Sequence, residues 1–286
     1  MMNKQIVPII LLFTALGITG CGTPKNLAQS ETFPTNGDGT EVVIDAKPFD
    51  YRDYATVLET YVSDRGLVDY EGLQANREQL DRFNRSLGEV RPEVYNSWSE
   101  EGKLAFLINA YNSFTLESII DQNPLKESIR DIPGVWKRRK FALVQSEKTL
   151  DNIEHDILRQ EFNEPRIHAA LVCAAISCPP LLNEPYVAEK LEAQLEDRTS
   201  KWIASSHGLK IDSQDNRVSV SSIFKWFGED WIASYKSEDK FTGSDKEKAV
   251  LNFVSQYIDP EDSKYLVEGN YRISYLDYDW SLNKQN

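Results

Sequence analysis

Sulfur, imidazole and positive charge are all scarce in this chain of 286 residues, which holds 3 cysteines, 3 histidines and 2 methionines, and 32 basic side chains against 45 acidic ones. The resulting formal charge of −13 argues against nucleic acid as a partner and against electrostatic adhesion to anionic lipid. Three cysteines in a chain of this length exclude a disulfide-stapled miniprotein. Internal repeats and low-complexity blocks are missing beyond Pro48, and so is the regular strand–helix rhythm of a parallel α/β sheet. Long apolar runs are missing too: Ile6–Ile18 is the longest and is short for a bilayer span. What is present, 41% hydrophobic and 11% aromatic residues, suits a globular protein with a substantial core.

The N-terminus has the order of an export signal: Lys4, the apolar stretch, then Thr19 and Gly20 before Cys21. Ile18-Thr19-Gly20-Cys21 resembles the lipobox of bacterial lipoproteins, which implies cleavage before Cys21 and acylation of its sulfur. Residues 1–20 then read as signal peptide, 21–46 as lipidated N-terminus and flexible tether, and 47–286 as a single globular domain. The expected place is the cell envelope, facing the periplasm, with membrane contact through the lipid anchor alone. Gly22 stands where Gram-negative lipoproteins retained at the inner membrane carry Asp, which points to the outer membrane.

Hydrophobic spacing predicts helices over 51–62, over 73–87, and from a cap at Ser97 or Ser99 to just before Pro124. On that third helix Leu104, Leu107, Ile108, Tyr111, Phe114 and Ile119 form an apolar arc, with Ser113, Glu117 and Asp121 on the wet side. Asn112 falls inside the arc and Asn109 at its edge, where an amide needs hydrogen-bond partners. A short strand is expected at 141–144 and a helix from Thr149 or Asp151 to about Gln160, for which Asp151 and Glu154 fit a capping box. Residues 167–172 read as a buried strand delivering Cys173, and 187–204 as an amphipathic helix. A hairpin at 209–212 and 217–220, helices around Phe224–Trp231 and over 244–257, and a last strand at 271–276 complete an α+β class. It is expected to be mainly helical with a small mixed or antiparallel sheet.

Four stretches, "FLINAYNSFTL" (106–116), "LDNIEHDIL" (150–158), "RIHAALVCAAISCPPL" (166–181) and "YLDYDWSLN" (275–283), together resemble the bacterial family catalogued as domain of unknown function 547. The resemblance runs from about Tyr61 to Asn283. It implies a single globular unit, often exported, and a shared pattern at Asn109, Tyr111, Asn112, Glu154, His155 and Cys173. Within that resemblance the position of Cys178 can hold serine, and Ala174 stands where glycine is common.

If Cys21 is acylated, Cys173 and Cys178 are the sulfurs left to explain, and four readings compete. A thiol nucleophile needs a base, and His155 is better placed than His168, which alternation along a strand would turn away from Cys173. Cys173, His155 and Asn109 or Asn112, with Glu154 as a further orienting group, would make a catalytic set. A Cys173–Cys178 disulfide needs only proximity in an oxidising compartment, and an exposed one would be a redox switch. Zinc held by His155, His168, Cys173 and Cys178 lacks the usual ligand spacing, so no metal and no cofactor are expected. Asp277 and Asp279, two apart on a probable strand, could serve glycan chemistry. The basic run Lys137-Arg138-Arg139-Lys140 reads as a solvated loop, and Arg166 as an ordinary ion-pair partner, Glu154 among the candidates. Function therefore divides between a cysteine-dependent hydrolase or acyl transferase on an envelope substrate and a non-catalytic binding or scaffolding module. The first requires Cys173 and His155 at the floor of an open cleft, and the second buries them.

Overall fold

Residues 47–237 and 240–285 are described by the computed structural model of the chain, and they lie in the unit Ile44–Asn286. The expectations for the signal, Cys21 and the tether fall outside them. Four short helices come first: α1 (Arg52–Tyr61), α2 (Tyr70–Ala75), α3 (Glu78–Glu89) and α4 (Pro92–Asn96). The single helix expected over 73–87 is two, because Asp69 caps α2 by accepting from the Gly72 amide and Asn76 ends it by donating to the Gly72 carbonyl.

Helix α5 (Glu100–Ile120) starts at the Ser99 cap, as its spacing predicts, but it is wrapped on nearly every side rather than along one arc. Ser113, expected to be wet, is fully buried with Thr115 and Ser118. Each hydroxyl bonds a carbonyl one turn back in α5 (Ala110, Tyr111 and Phe114), which removes the cost of burying it. The arc argument failed because a helix at the centre of a core has no solvent face to keep polar.

Beyond α5, β1 (Phe141–Leu143) and β2 (Ser146–Lys148) form a hairpin whose two turn residues, Val144 and Gln145, both have positive φ. The helix expected from 151 to 160 is wound as a π-helix over Asn152–Leu158 before α6 (Arg159–Glu161). Its start is not the expected capping box. Asn152 and Thr149 cap each other through side chain and amide, and Asp151 makes no capping bond. Residues 167–172 are not a strand either. Ile167–Ala170 is one helical turn, α7, and extended chain begins at Leu171. α8 (Leu191–Ala204) follows, close to its predicted end.

The last third matches its reading most closely. β3 (Leu209–Asp212) and β4 (Arg217–Val220) have the predicted bounds and pair antiparallel. α9 (Ser222–Phe227), α10 (Ile232–Tyr235), α11 (Asp245–Val254) and α12 (Pro260–Glu268) come next. β5 (Arg272–Tyr275) then adds to β4 in parallel, giving a mixed three-stranded sheet. The α+β class stands. One apolar cluster surrounds α5, and a second gathers Trp202, Phe224, Trp231 and Phe253 against the three-stranded sheet. Among the described residues no helix is long and apolar enough to cross a membrane.

Candidate functional site

Two amides on α5 set the position of the cysteine loop. Asn112 donates to the Ala170 carbonyl and accepts from the Val172 amide, both at 2.9 Å, so it holds the chain where α7 gives way to Cys173. Asn109 does the same one turn earlier, donating to the carbonyl of Tyr186 at 2.7 Å and accepting from its amide at 3.0 Å. Both amides clamp backbone, and Asn109 also meets the side chain of Tyr51. They fix the loop and do not orient an imidazole, the role expected of them.

From Ala174 to Cys178 the loop runs beside the C-terminal segment. Ile176 donates to Ser281, Ser177 to Asp279, and Asn283 returns a bond to Ala174. This pairing carries Tyr278, a hundred residues downstream, over both sulfurs. Its hydroxyl lies 3.1 Å from Cys178 Sγ and 3.4 Å from Cys173 Sγ. Ala174 has φ of 62°, so the left-handed turn that glycine would make easily is present here with a side chain.

The two sulfurs, both free cysteines, are 2.6 Å apart, close enough that one thiol must donate to the other. Their roles differ. Burial would push the Cys178 thiol up, but the bonds it receives from Cys173, Tyr278 and the backbone at Ala175 and Cys173 outweigh burial and bring it below the ordinary value. Cys173 is pushed well up, first by its hydrogen bond to Cys178 and then by burial. Of the two, Cys178 is therefore the readier to give up its proton and Cys173 the one that keeps it. Cys178 is only 7% exposed, whereas Cys173 is partly open.

Both sulfurs lie on the floor of a cleft of about 280 Å³. One wall is aromatic: Trp226 stacks on Trp280 at 5.8 Å, and Tyr278 lies against both at 4.9 and 4.6 Å. The start of the π-helix lines the same cleft with Asp151, Glu154 and His155, together with Lys137. π-Helical turns widen the helix by one residue per turn and recur at functional sites. Here the winding sets Glu154 and His155, neighbours in sequence, on the same cleft wall.

His155 shares the cleft with Cys173, as the thiol reading requires, yet the hydrogen bond described for it joins Nδ1 to Arg159 at 3.0 Å, with Nε2 3.7 Å from Asp151. Arg159 in turn forms a two-bond pair with Asp230, whose second partner is His168 Nε2 at 2.7 Å. Burial would raise the Asp230 carboxyl, but those bonds and the charges of His168 and Arg159 hold it well below the usual carboxylate range. His168 is buried and stacked between Phe227 and Trp231. It is tied to a carboxylate and lines the cleft only from beneath.

Other readings fare differently. Among the described residues no group of three or more His, Cys, Asp or Glu is placed to hold a metal ion, so the four zinc candidates do not assemble. Asp277 and Asp279 lie past the end of β5, both exposed, with Asp279 capping Ser281. They form no paired carboxylate face. Arg166 pairs with Glu164, Glu192 and Glu196, not Glu154. In the basic run Lys137, Arg139 and Lys140 are each balanced by carboxylates, as a solvated loop would be. Sequence reasoning missed Tyr278 and the Trp226–Trp280 wall, since nothing local says that residues 278–280 lie beside 174–178. The motif at 275–283 was the available signal.

No curated protein and no solved structure matches the chain. Residues 95–203 do match the family model described as "Protein of unknown function, DUF547", a span narrower than the motifs suggested, which takes in α5, the π-helix and both cysteines but leaves the aromatic wall outside.

Proposed function

We propose that the cleft is the catalytic site of a cysteine-dependent hydrolase or acyl transferase. The observation that carries this reading is the pair of sulfurs in contact in an open cleft, the buried one the readier to lose its proton and the accessible one the more firmly protonated. In this reading Cys173 attacks an acyl carbon and its proton passes to the Cys178 thiolate, so no free thiolate has to be made in the cleft beforehand. The new bond joins sulfur to the acyl carbon, and the leaving group departs with a proton supplied by His155 or by Cys178. Water or a second acceptor then takes the acyl group and frees Cys173. The Tyr278 hydroxyl, within reach of both sulfurs, can turn its one proton toward whichever carries the charge.

A short-chain p-nitrophenyl ester offered to the full chain should acylate Cys173, visible as a mass increase on that peptide. Cys173→Ser should lose it entirely, while Cys178→Ser should slow it by about 10²-fold, as expected for loss of a positioned base. Acylation that persists undiminished in Cys173→Ser would sink the reading. The sulfur contact favours a second reading, reversible oxidation of the pair, and thiol titration with and without reductant separates the two.

For the place of action we propose the envelope, with Cys21 acylated and the domain facing the periplasm. Support comes from Lys4, the apolar stretch and Ile18-Thr19-Gly20-Cys21. Metabolic labelling with a fatty acid should mark the chain, and Cys21→Ser should abolish the label.

A further inference from the structure

One carboxylate of the cleft stands outside the direct ion pairs described around it. Asp151 is flanked by Lys137 and His155, and Asp230, behind the wall, is held by Arg159 and His168. Glu154 lines the same cleft, and among the described residues no lysine, arginine or histidine nitrogen pairs with it. It accepts a hydrogen bond from the buried Tyr111 hydroxyl. It is not needed to cap its helix, because Thr149 and Asn152 do that. Its charge reaches Arg159 without a direct ion pair, which leaves the carboxylate open to a cationic ligand.

The same cleft is lined by the rings of Trp226, Tyr278 and Trp280. Trp226 is 41% exposed, unusual for a large apolar side chain in this protein. Rings of the cleft already meet cations: Arg130 lies over the Trp280 ring at 5.2 Å, and Arg159 over Phe227, another lining residue, at 4.9 Å. Aromatic walls facing a carboxylate are the arrangement that recognises organic ammonium groups. A formal charge of −13 on the chain would also draw cations toward it.

We propose that the cleft selects a substrate bearing an organic ammonium group, whose positive charge sits between Glu154 and the aromatic wall of Trp226, Tyr278 and Trp280. The proposal rests on the reading of this cleft as the substrate site and assigns the substrate class. It also links binding to chemistry. After the bond to Cys178 and burial, the charge of Glu154 is a further cause of the raised Cys173 thiol, so a bound cation that neutralises Glu154 would ease the loss of that proton.

Binding can be measured without catalysis. Choline and its uncharged isostere 3,3-dimethylbutan-1-ol, titrated by calorimetry into the full chain carrying Cys173→Ser, differ only in charge. The expected result is at least a 10-fold preference for choline, abolished in the same chain by Glu154→Gln and weakened several-fold by Trp226→Ala. Equal affinity for the two, no binding of choline, or a preference that survives Glu154→Gln each overturns the assignment. Trp226 is a surface side chain, so its variant reports on the site even where Glu154→Gln lowers the melting temperature. Because the Cys173→Ser chain cannot be acylated at that sulfur, failure here leaves the acylation test untouched, and failure of the acylation test leaves this binding result standing.

Discussion

Two polar constellations lie within a few residues of each other and have opposite characters. The amides of Asn109 and Asn112 are buried, and each makes two bonds to fixed backbone. The cleft groups Glu154, Cys173 and Cys178 are held among sulfurs, a carboxylate and two tyrosine hydroxyls, with one carboxylate outside any direct ion pair described. Satisfied amides build architecture, because any change leaves a stranded backbone group. Groups whose charge is shared or unmatched are where protons and ligands can come and go. In sequence the two sets look alike, as polar residues in apolar surroundings, and only their partners tell them apart.

The largest effect should come from breaking the first set. Asn112→Ala strands the Ala170 carbonyl and the Val172 amide in the core, a loss of about 3 kcal/mol on the usual cost of unsatisfied buried groups. For a domain of this size that is a fall in melting temperature of roughly 6 to 12 °C by calorimetry. Cysteine accessibility should rise with it, since the same bonds hold the loop before Cys173. A variant as stable as the parent would mean that the clamp is decoration.

Asp230 stands between the two sets, structural in its partners yet wired to the cleft through Arg159 and His155. Asp230→Asn leaves a guanidinium and an imidazole with half their bonding and should cost about 2 kcal/mol, reduced from the fully buried case by its partial exposure. The sign of its pH dependence follows from the lowered carboxyl. The stabilisation is fully present above the ordinary Asp value near 4 and drains away as pH falls below it toward the lower folded value. Urea melts between about pH 5 and pH 2 should therefore be flatter for Asp230→Asn than for the parent. Parallel curves would show that the Asp230 charge contributes nothing.

How much of this could be read in advance follows the same division. β3 and β4 were legible to the residue because alternation and a polar turn are local signals, and Ser99 was legible as a cap. The cysteines, His155 and Glu154 were legible as a group because a motif kept them together. Helix α7 was misread as a strand because Ile167–Val172 is apolar but for His168, and a short buried run has no period to separate the two. π-Winding leaves no mark in composition. The aromatic wall depends on the pairing of 279–283 with 174–177, a contact spanning a hundred residues that no window can see.

Ala174 is a smaller test of the loop. Its left-handed backbone costs an L-residue roughly 1 kcal/mol, and glycine at that point would relieve the strain while loosening the unfolded chain. Those terms partly cancel, so Ala174→Gly should be stabilising by about 0.5 kcal/mol, with the Asn283 amide still bonded to the carbonyl at 174. Destabilisation by 1 kcal/mol or more would show that the buried methyl group contributes packing that outweighs the strain.

The smallest stability effect should belong to the residue with the most chemistry. Cys173→Ser keeps a donor beside Cys178, and its site opens on a cleft rather than a packed core, so a change within about 0.5 kcal/mol is expected. Reactivity should shift instead. A hydroxyl donates to Cys178 over a longer reach than the thiol at 2.6 Å, and the thiolate loses part of the support that now offsets its burial. Iodoacetamide labelling of Cys178 followed against pH should then rise later in Cys173→Ser than in the parent, with the midpoint displaced upward. If the variant unfolds several degrees earlier and its labelling profile stays in place, the sulfur pair is architecture like the asparagines, and the distinction drawn between the two constellations fails.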